Sequence, residues 1–276
     1  MIRWLRRRGW MYGAMAAVSA FALFPVYYVL VTSLKTRSEI YSRTPDLWPN
    51  QPQWHEYRDV LGAGHVGRAL MNSGIVAGGT MVLCLLVAAP AAYALSRFRM
   101  PLTRVLLMAV LMTQMFPLVV LVIPLFVMMR KAGLLGTYWS LIVTYLAFSV
   151  PLAIWVMRGF IMSIPEELEH AARIDGATRV GAMVRVVLPL AAPGLATTAV
   201  LSFLEGWKEF LLALTFLNDE GKKTAPLVLQ SFVGRGDTDW AAVMATSVLY
   251  TLPVALVFVL ARKHLMTPRT AGAVKG

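Results

Sequence analysis

Five long stretches of this sequence hold no Asp, Glu, Lys or Arg: residues 9–34, 69–96, 105–129, 132–157 and 240–261. A helix needs roughly 20 apolar residues to cross the hydrocarbon core of a bilayer. Each stretch is long enough, so the spacing predicts five transmembrane helices. A sixth apolar region, at 187–217, has the length but carries Glu205, Lys208 and Glu209. It is predicted as a sixth span. Hydrophobic residues make up 58% of the chain and charged ones 14%, against about 45–50% and about 25% in soluble domains. That balance excludes a soluble enzyme, a nucleic-acid binder and a disordered chain. Barrel strands would be short and alternate in polarity, and nothing here alternates. The predicted class is therefore an all-α integral membrane protein, because lipid cannot satisfy open backbone groups.

Basic residues orient the spans. Arg3, Arg6, Arg7 and Arg8 precede the first, Arg97, Arg99 and Arg104 follow the second, and Arg262, Lys263, Arg269 and Lys275 follow the last, with no acid among them. The intervening segments 35–68 and 218–239 mix both signs. The positive-inside rule then places both termini in the cytoplasm. Most of the net charge of +12 is accounted for this way. The first apolar run is longer than the 7–15 residues of a signal-peptide core, so a retained helix is expected. The single cysteine, Cys84, sits mid-span and reads as a packing residue. His55, His65 and His264 are scattered and form no metal-ligand pattern.

Between the fourth and fifth spans the chain reads Ile164-Pro165-Glu166-Glu167-Leu168-Glu169-His170-Ala171-Ala172-Arg173-Ile174-Asp175-Gly176-Ala177-Thr178. Pro165 suits a helix start, and acids in the first turn suit the positive end of the helix dipole. Leu168, Ala171 and Ala172 share a face, and Glu169 and Arg173 stand at i,i+4. Asp175-Gly176 is a turn signal. Thr178 can cap a second helix with Val180, Met183, Val184, Val187 and Leu188 as its apolar stripe. Pro189 predicts a boundary at Leu188. The small residues Ala171, Ala172, Gly176 and Ala177 leave room for a partner to approach.

This segment resembles the EAA loop of ABC importer permeases, roughly E-A-A-x-x-x-G, nine residues, then I-x-L-P. The match falls on His170-Ala171-Ala172, Gly176 and Val186-Val187-Leu188-Pro189, with His170 in place of the motif's glutamate. Glu167 and Glu169 are near enough to stand in for it. Glu166 to Glu169 followed by Ala171 to Ala177 is similar to the carbohydrate-uptake branch. So is Trp207-Lys208-Glu209-Phe210, beside that branch's W-N-E-F element, and so are Trp48-Pro49, Trp54 and Tyr57 in the first loop. The ending Thr270, Ala271, Gly272, Ala273, Val274, Lys275 and Gly276 resembles the tail of maltose permeases of the MalG type.

The resemblance implies a type I ABC importer transmembrane fold of six helices. Its parts would be an N-terminal helix and external loop (1–68), a permease core (69–262) containing the loop at 165–189, and a cytoplasmic tail (263–276). It implies a permease subunit of a bacterial cytoplasmic-membrane importer for a di- or oligosaccharide such as maltose, maltodextrin or trehalose. The partners implied are a second permease subunit, an ATP-binding subunit dimer that holds ATP and Mg, and an extracytoplasmic sugar-binding protein. Glu167, Glu169, His170, Ala171, Ala172, Asp175, Gly176, Leu188 and Pro189 would form the ATPase-coupling loop, and residues 270–276 would touch the ATPase. The mechanism implied is alternating access. The chain carries no G-x-x-x-x-G-K-[ST] pattern, so it is expected to bind no nucleotide and to be no enzyme by itself.

Glu205, Trp207, Lys208 and Glu209 admit two readings: a lining of the sugar path, or a structural ion pair and packing inside the bundle. Phe203 and Phe210 share the second alternative. A membrane enzyme would need further converging catalytic groups. An ion channel or secondary carrier would need mid-depth ion ligands and often an internal repeat. Neither rival accounts for the EAA-like loop.

Overall fold

The computed structural model describes residues 2–44, 46–62, 65–98, 103–234 and 238–265, and among these the regular structure is helical throughout. In chain order the helices are α1 (Ile2–Thr32), α2 (Arg37–Ile40), α3 (His55–Gly62), α4 (His65–Arg97), α5 (Thr103–Met112), α6 (Leu118–Lys131) and α7 (Tyr138–Met162). They continue with α8 (Glu166–Ile174), α9 (Arg179–Ala182), α10 (Leu188–Leu190), α11 (Ala192–Lys208), α12 (Leu211–Phe216), α13 (Ala225–Ser231) and α14 (Trp240–Leu265). The chain forms two compact units, residues 1–67 with 228–252, and residues 68–227 with 253–276.

Four helical stretches are long and apolar enough to cross a bilayer: Trp10–Thr32, α4, α7 and α14. Two further crossings arise if each of two bent pairs counts as one span, Leu107–Met115 with α6 and Arg179–Leu190 with α11. The third and fifth predicted spans are therefore not single rods.

The first break turns the chain by 101°. Pro117 disfavours helix at the residue before it, and Phe116 is accordingly extended (φ −74°, ψ 125°). The second turns it by 79° at Ala191 (φ −81°, ψ 11°). This corrects the boundary expected at Leu188, which is helical (φ −64°, ψ −40°). A π-helical turn over Met183–Val187 precedes Pro189. The wider turn eases the clash a proline ring makes with the carbonyl four residues back.

In the second unit, α11 packs along α7 and meets α4 at Gly206. A Cβ on Gly206 would stand 3.1 Å from the Ala77 Cα, and one on Gly194 2.7 Å from the Phe160 ring. Glycine at 206 lets two backbones come this close, the device by which membrane helices pack without a strong hydrophobic drive, and glycine at 194 makes room for the Phe160 side chain. One apolar core gathers Cys84, Ala88, Ala92, Met157, Ile161 and Val187. The other gathers Met129, Leu141, Leu212 and Phe216. Asn72 clips the segment before α13 to α4, donating to the carbonyls of Gly221 (3.0 Å) and Lys223 (2.8 Å) and accepting from the Tyr138 hydroxyl (2.7 Å).

In the first unit, the loop after α1 is tied down locally. The Tyr27 hydroxyl donates to the Leu47 carbonyl, the Lys35 ammonium to the Asp46 carbonyl, and the Ser33 and Tyr57 hydroxyls share a bond of 2.6 Å. Glu39 closes a capping box with Thr36 and accepts from the Asn50 amide at 2.9 Å. Those backbone donors, Thr36 first, hold its carboxyl at about 2, below the usual 4.5. Trp48 and Trp54 stand exposed on this loop.

Candidate functional site

The EAA-like segment is a helix, a tight turn and a second, irregular helix. Pro165 is the N-cap of α8, whose first turn carries Glu166, Glu167 and Glu169. Asp175 ends it, and Gly176 turns the chain at φ +93°, a conformation that costs a side chain but not glycine. The Thr178 hydroxyl then accepts from the Gly181 amide at 3.0 Å, capping α9. Start, turn and cap follow the sequence expectation.

The Glu169–Arg173 pair and the single apolar stripe of the second helix do not. Ala171 and Leu168 point outward, and Ile174 is 86% exposed. The residue turned inward is Glu169, 6% exposed. Its carboxylate accepts from the Tyr93 hydroxyl and pairs with the Arg97 guanidinium at 3.1 Å. Arg97 also donates to the Ile164 carbonyl at 2.9 Å and lies 3.6 Å from the Glu166 carboxylate. So the expected Glu169–Arg173 pairing gives way to a buried pair that fastens α8 to the last turn of α4, while Arg173 is exposed. Tyr93 and Arg97 hold the inward side of α8 through Glu169. The α9 stripe also splits. Val187 is buried and Leu188 partly so, but Val180 and Val184 are exposed. The π-helical turn adds a residue and shifts the phase of a 3.6-residue pattern.

Glu167, His170 and Gly176 are exposed, with no atom within 4 Å of where a Gly176 Cβ would sit. Asp175 and Pro189 are exposed and Ala172 is half-buried. The exposed Glu167, His170, Ala171 and Ile174 thus sit on one short helix tied from behind by Glu169 to Tyr93 and Arg97. Residues 270–276 lie outside the described residues.

The charged cluster of α11 separates into two parts. Glu209 is extended (φ −71°, ψ 131°) and caps α12, accepting from the amides of Leu212 (2.8 Å) and Ala213 (3.1 Å) and from the Tyr145 hydroxyl (2.6 Å). Trp207 is buried and stacks on Phe203 with centroids 5.4 Å apart. Both therefore serve the bundle. Glu205 and Lys208 pair at 2.9 Å and are about half-exposed. Glu205 faces two adjoining hollows of about 90 and 220 Å³ that share Gln114, Phe148 and Ser149. Tyr93, Arg97, Gln114 and Ser149 were not legible as site residues. Arg97 counted only as an inside charge, and nothing local marks a contact across 72 positions.

A helical bundle with two broken spans, a hollow between its helices and an EAA-like helix backed by a buried ion pair defines a membrane permease. The chain belongs to the family of binding-protein-dependent transport system inner membrane components, whose family model matches residues 72–267. It is thus a multi-pass ABC importer permease subunit without an ATPase site of its own. It is 37% identical over 254 residues to the sulfoquinovosyl glycerol transport system permease protein SmoH of Agrobacterium fabrum, spanning 92% of this chain and 89% of that one. It is 36% identical over 261 residues to the trehalose transport system permease protein SugB of Mycobacterium tuberculosis, spanning 94% of each chain. Its fold is similar to a chain of a bacterial ABC transporter involved in import of the acidic polysaccharide alginate, with a TM-score of 0.77 and 26% identity over 94% of this chain and 96% of that one.

Proposed function

We propose that this chain is one of two permease subunits of an ATP-driven carbohydrate importer in the bacterial cytoplasmic membrane, with both termini cytoplasmic. Its cargo is a di- or oligosaccharide of the maltose, maltodextrin or trehalose kind, delivered by an extracytoplasmic binding protein. ATP and Mg sit on a separate ATPase dimer. The observation that carries this is the EAA-like helix, presented outward and fixed from within by Arg97 and Glu169. In this reading the ATPase holds α8 through Glu167, His170 and Ala171, and Gly176, Leu188 and Pro189 shape the turn and exit of the segment. Closure of the ATPase dimer pushes α8. The buried pair passes the push to α4, and α10 passes it to α11, so the bundle alternates its opening. Residues 270–276 add a contact with the ATPase.

The test is purification of the chain from its native membrane, followed by reconstitution with the co-purifying subunits and the binding protein. An ATPase and a second permease at stoichiometric ratio, with uptake of trehalose or maltose that requires ATP, are expected. A chain that purifies alone and transports without ATP would sink the proposal. Deletion of residues 270–276 should leave assembly intact and change the ATPase rate.

A further inference from the structure

We propose that the hollow walled by the α5–α6 break, α7 and the C-terminal half of α11 is a binding subsite of this chain for one ring of an uncharged, polyhydroxylated ligand. Ser149 and Glu205 are its hydroxyl-binding groups. This rests on the importer reading above and assigns part of the recognition to this subunit.

Three independent features meet there. The first is the pair of orphan hydroxyls. Ser149 is 5% exposed and Thr198 1% exposed, both line the hollow, and neither side-chain oxygen has a hydrogen-bond partner. Buried hydroxyls are ordinarily satisfied. In helices they commonly bond to the carbonyl four residues back, as Thr197, Ser202 and Ser247 do here at 2.7–2.8 Å. Thr32, Thr80, Thr224 and Thr246 are buried without a partner as well, but of the unpartnered hydroxyls only Ser149 and Thr198 line this hollow.

The second is the carboxylate. Glu205 lines both parts of the hollow, and Lys208 engages its Oε1 at 2.9 Å. An ionisable group in a membrane-spanning helix is expensive unless paired or facing a polar cavity. The pairing leaves a two-oxygen acceptor for vicinal hydroxyls. With Glu209 on the same wall and Lys208 the one cation of the cluster, the local charge is negative. An anionic ligand would meet like charge there, the repulsive element that specificity needs.

The third is the backbone. The α5–α6 break places Gln114 and Phe116 on the wall. Non-helical chain at membrane depth is tolerated where it lines a cavity or is buried in protein. Phe116 and Phe148 supply apolar faces for the C–H side of a sugar ring, beside polar groups that take its hydroxyls.

The experiment uses the assembled complex in proteoliposomes with its own binding protein, and measures trehalose or maltose uptake alongside ATP hydrolysis. Glu205→Gln should slow uptake about tenfold and Ser149→Ala about threefold, the scale expected for losing a charged and a neutral hydrogen bond. Hydrolysis stimulated by the binding protein should persist, so that ATP is consumed without cargo. Occupancy is read separately with Gln114→Cys in a Cys84→Ala background. Millimolar trehalose or maltose should slow labelling by a small maleimide, and glucuronate at the same concentration should not. Unchanged uptake in both variants, or equal protection by glucuronate, overturns the subsite and leaves the importer reading standing. A wild-type complex that imports no carbohydrate overturns both.

Discussion

The Arg97 guanidinium and the Glu169 carboxylate meet at 3.1 Å with both side chains more than nine-tenths buried, joining the end of α4 to α8. Removing one partner of such a pair leaves a buried charge uncompensated and costs about 3–5 kcal/mol. Arg97→Gln is therefore expected to lower the melting temperature of the purified complex and to loosen α8. Glu169→Gln, which can still accept from Tyr93 and leaves Arg97 with the Glu166 carboxylate at 3.6 Å and the Ile164 carbonyl, should be milder. Equal and unchanged melting of both variants would show that the pair carries no stability.

The same contact decides between candidate anchors for the ATPase. Glu169 is committed inward, whereas His170 and Glu167 are exposed. His170→Ala is expected to uncouple hydrolysis from transport at unchanged thermal stability. Glu169→Ala should lower stability as well. If His170→Ala and Glu167→Ala both transport normally, neither is an anchor.

Close approach of a partner can be tested without disturbing the fold. Gly176→Trp is confounded, because φ +93° is strained for any side chain, by about 1–3 kcal/mol. Ala171 is helical and exposed. Ala171→Trp should fold normally and reduce ATPase recruitment at least tenfold in a pull-down. Normal recruitment would exclude a close contact at this face.

Two glycines should respond to alanine with opposite sign. At Gly206 a Cβ would crowd the Ala77 backbone at 3.1 Å, and overpacking of this kind costs about 1–3 kcal/mol. At Gly74, mid-helix in α4, a Cβ meets nothing within 4 Å, and Gly→Ala there should gain about 0.5–1 kcal/mol. Melting curves of Gly206→Ala and Gly74→Ala check both. A shift of the same sign in the two would contradict this account of helix packing.

Glu39 gives the first loop a pH dependence. Its folded value of about 2 lies below the ordinary 4.5. A depressed carboxyl stabilises the fold above its unfolded value and loses that contribution as pH falls through the folded one. The loop at 36–50 should therefore become a pepsin substrate as pH falls from about 4.5 to about 2. Relative to an unstructured control peptide, which carries pepsin's own pH dependence, Glu39→Gln cleavage should not change across that window. Identical profiles for wild type and variant would remove Glu39 as the cause.

The sequence by itself determined the uncharged stretches that must be helices in lipid, the start of α8 at Pro165, the turn at Asp175-Gly176 and the Thr178 cap. Each follows from hydropathy or from backbone chemistry within a few residues. Pro117 disfavours helix at the residue before it, but the size of the 101° turn there is a property of the folded chain. Which side of α8 faces inward was decided by tertiary structure alone. An i,i+4 spacing brings Glu169 within reach of Arg173, yet a carboxylate goes where burial and a second donor hold it, and Tyr93 and Arg97 provide both. Glu205 and Glu209 are alike in sequence. Both line the hollow, but only the break after α11 makes Glu209 a cap for α12 as well, because a helix end exposes amides that a helix interior does not.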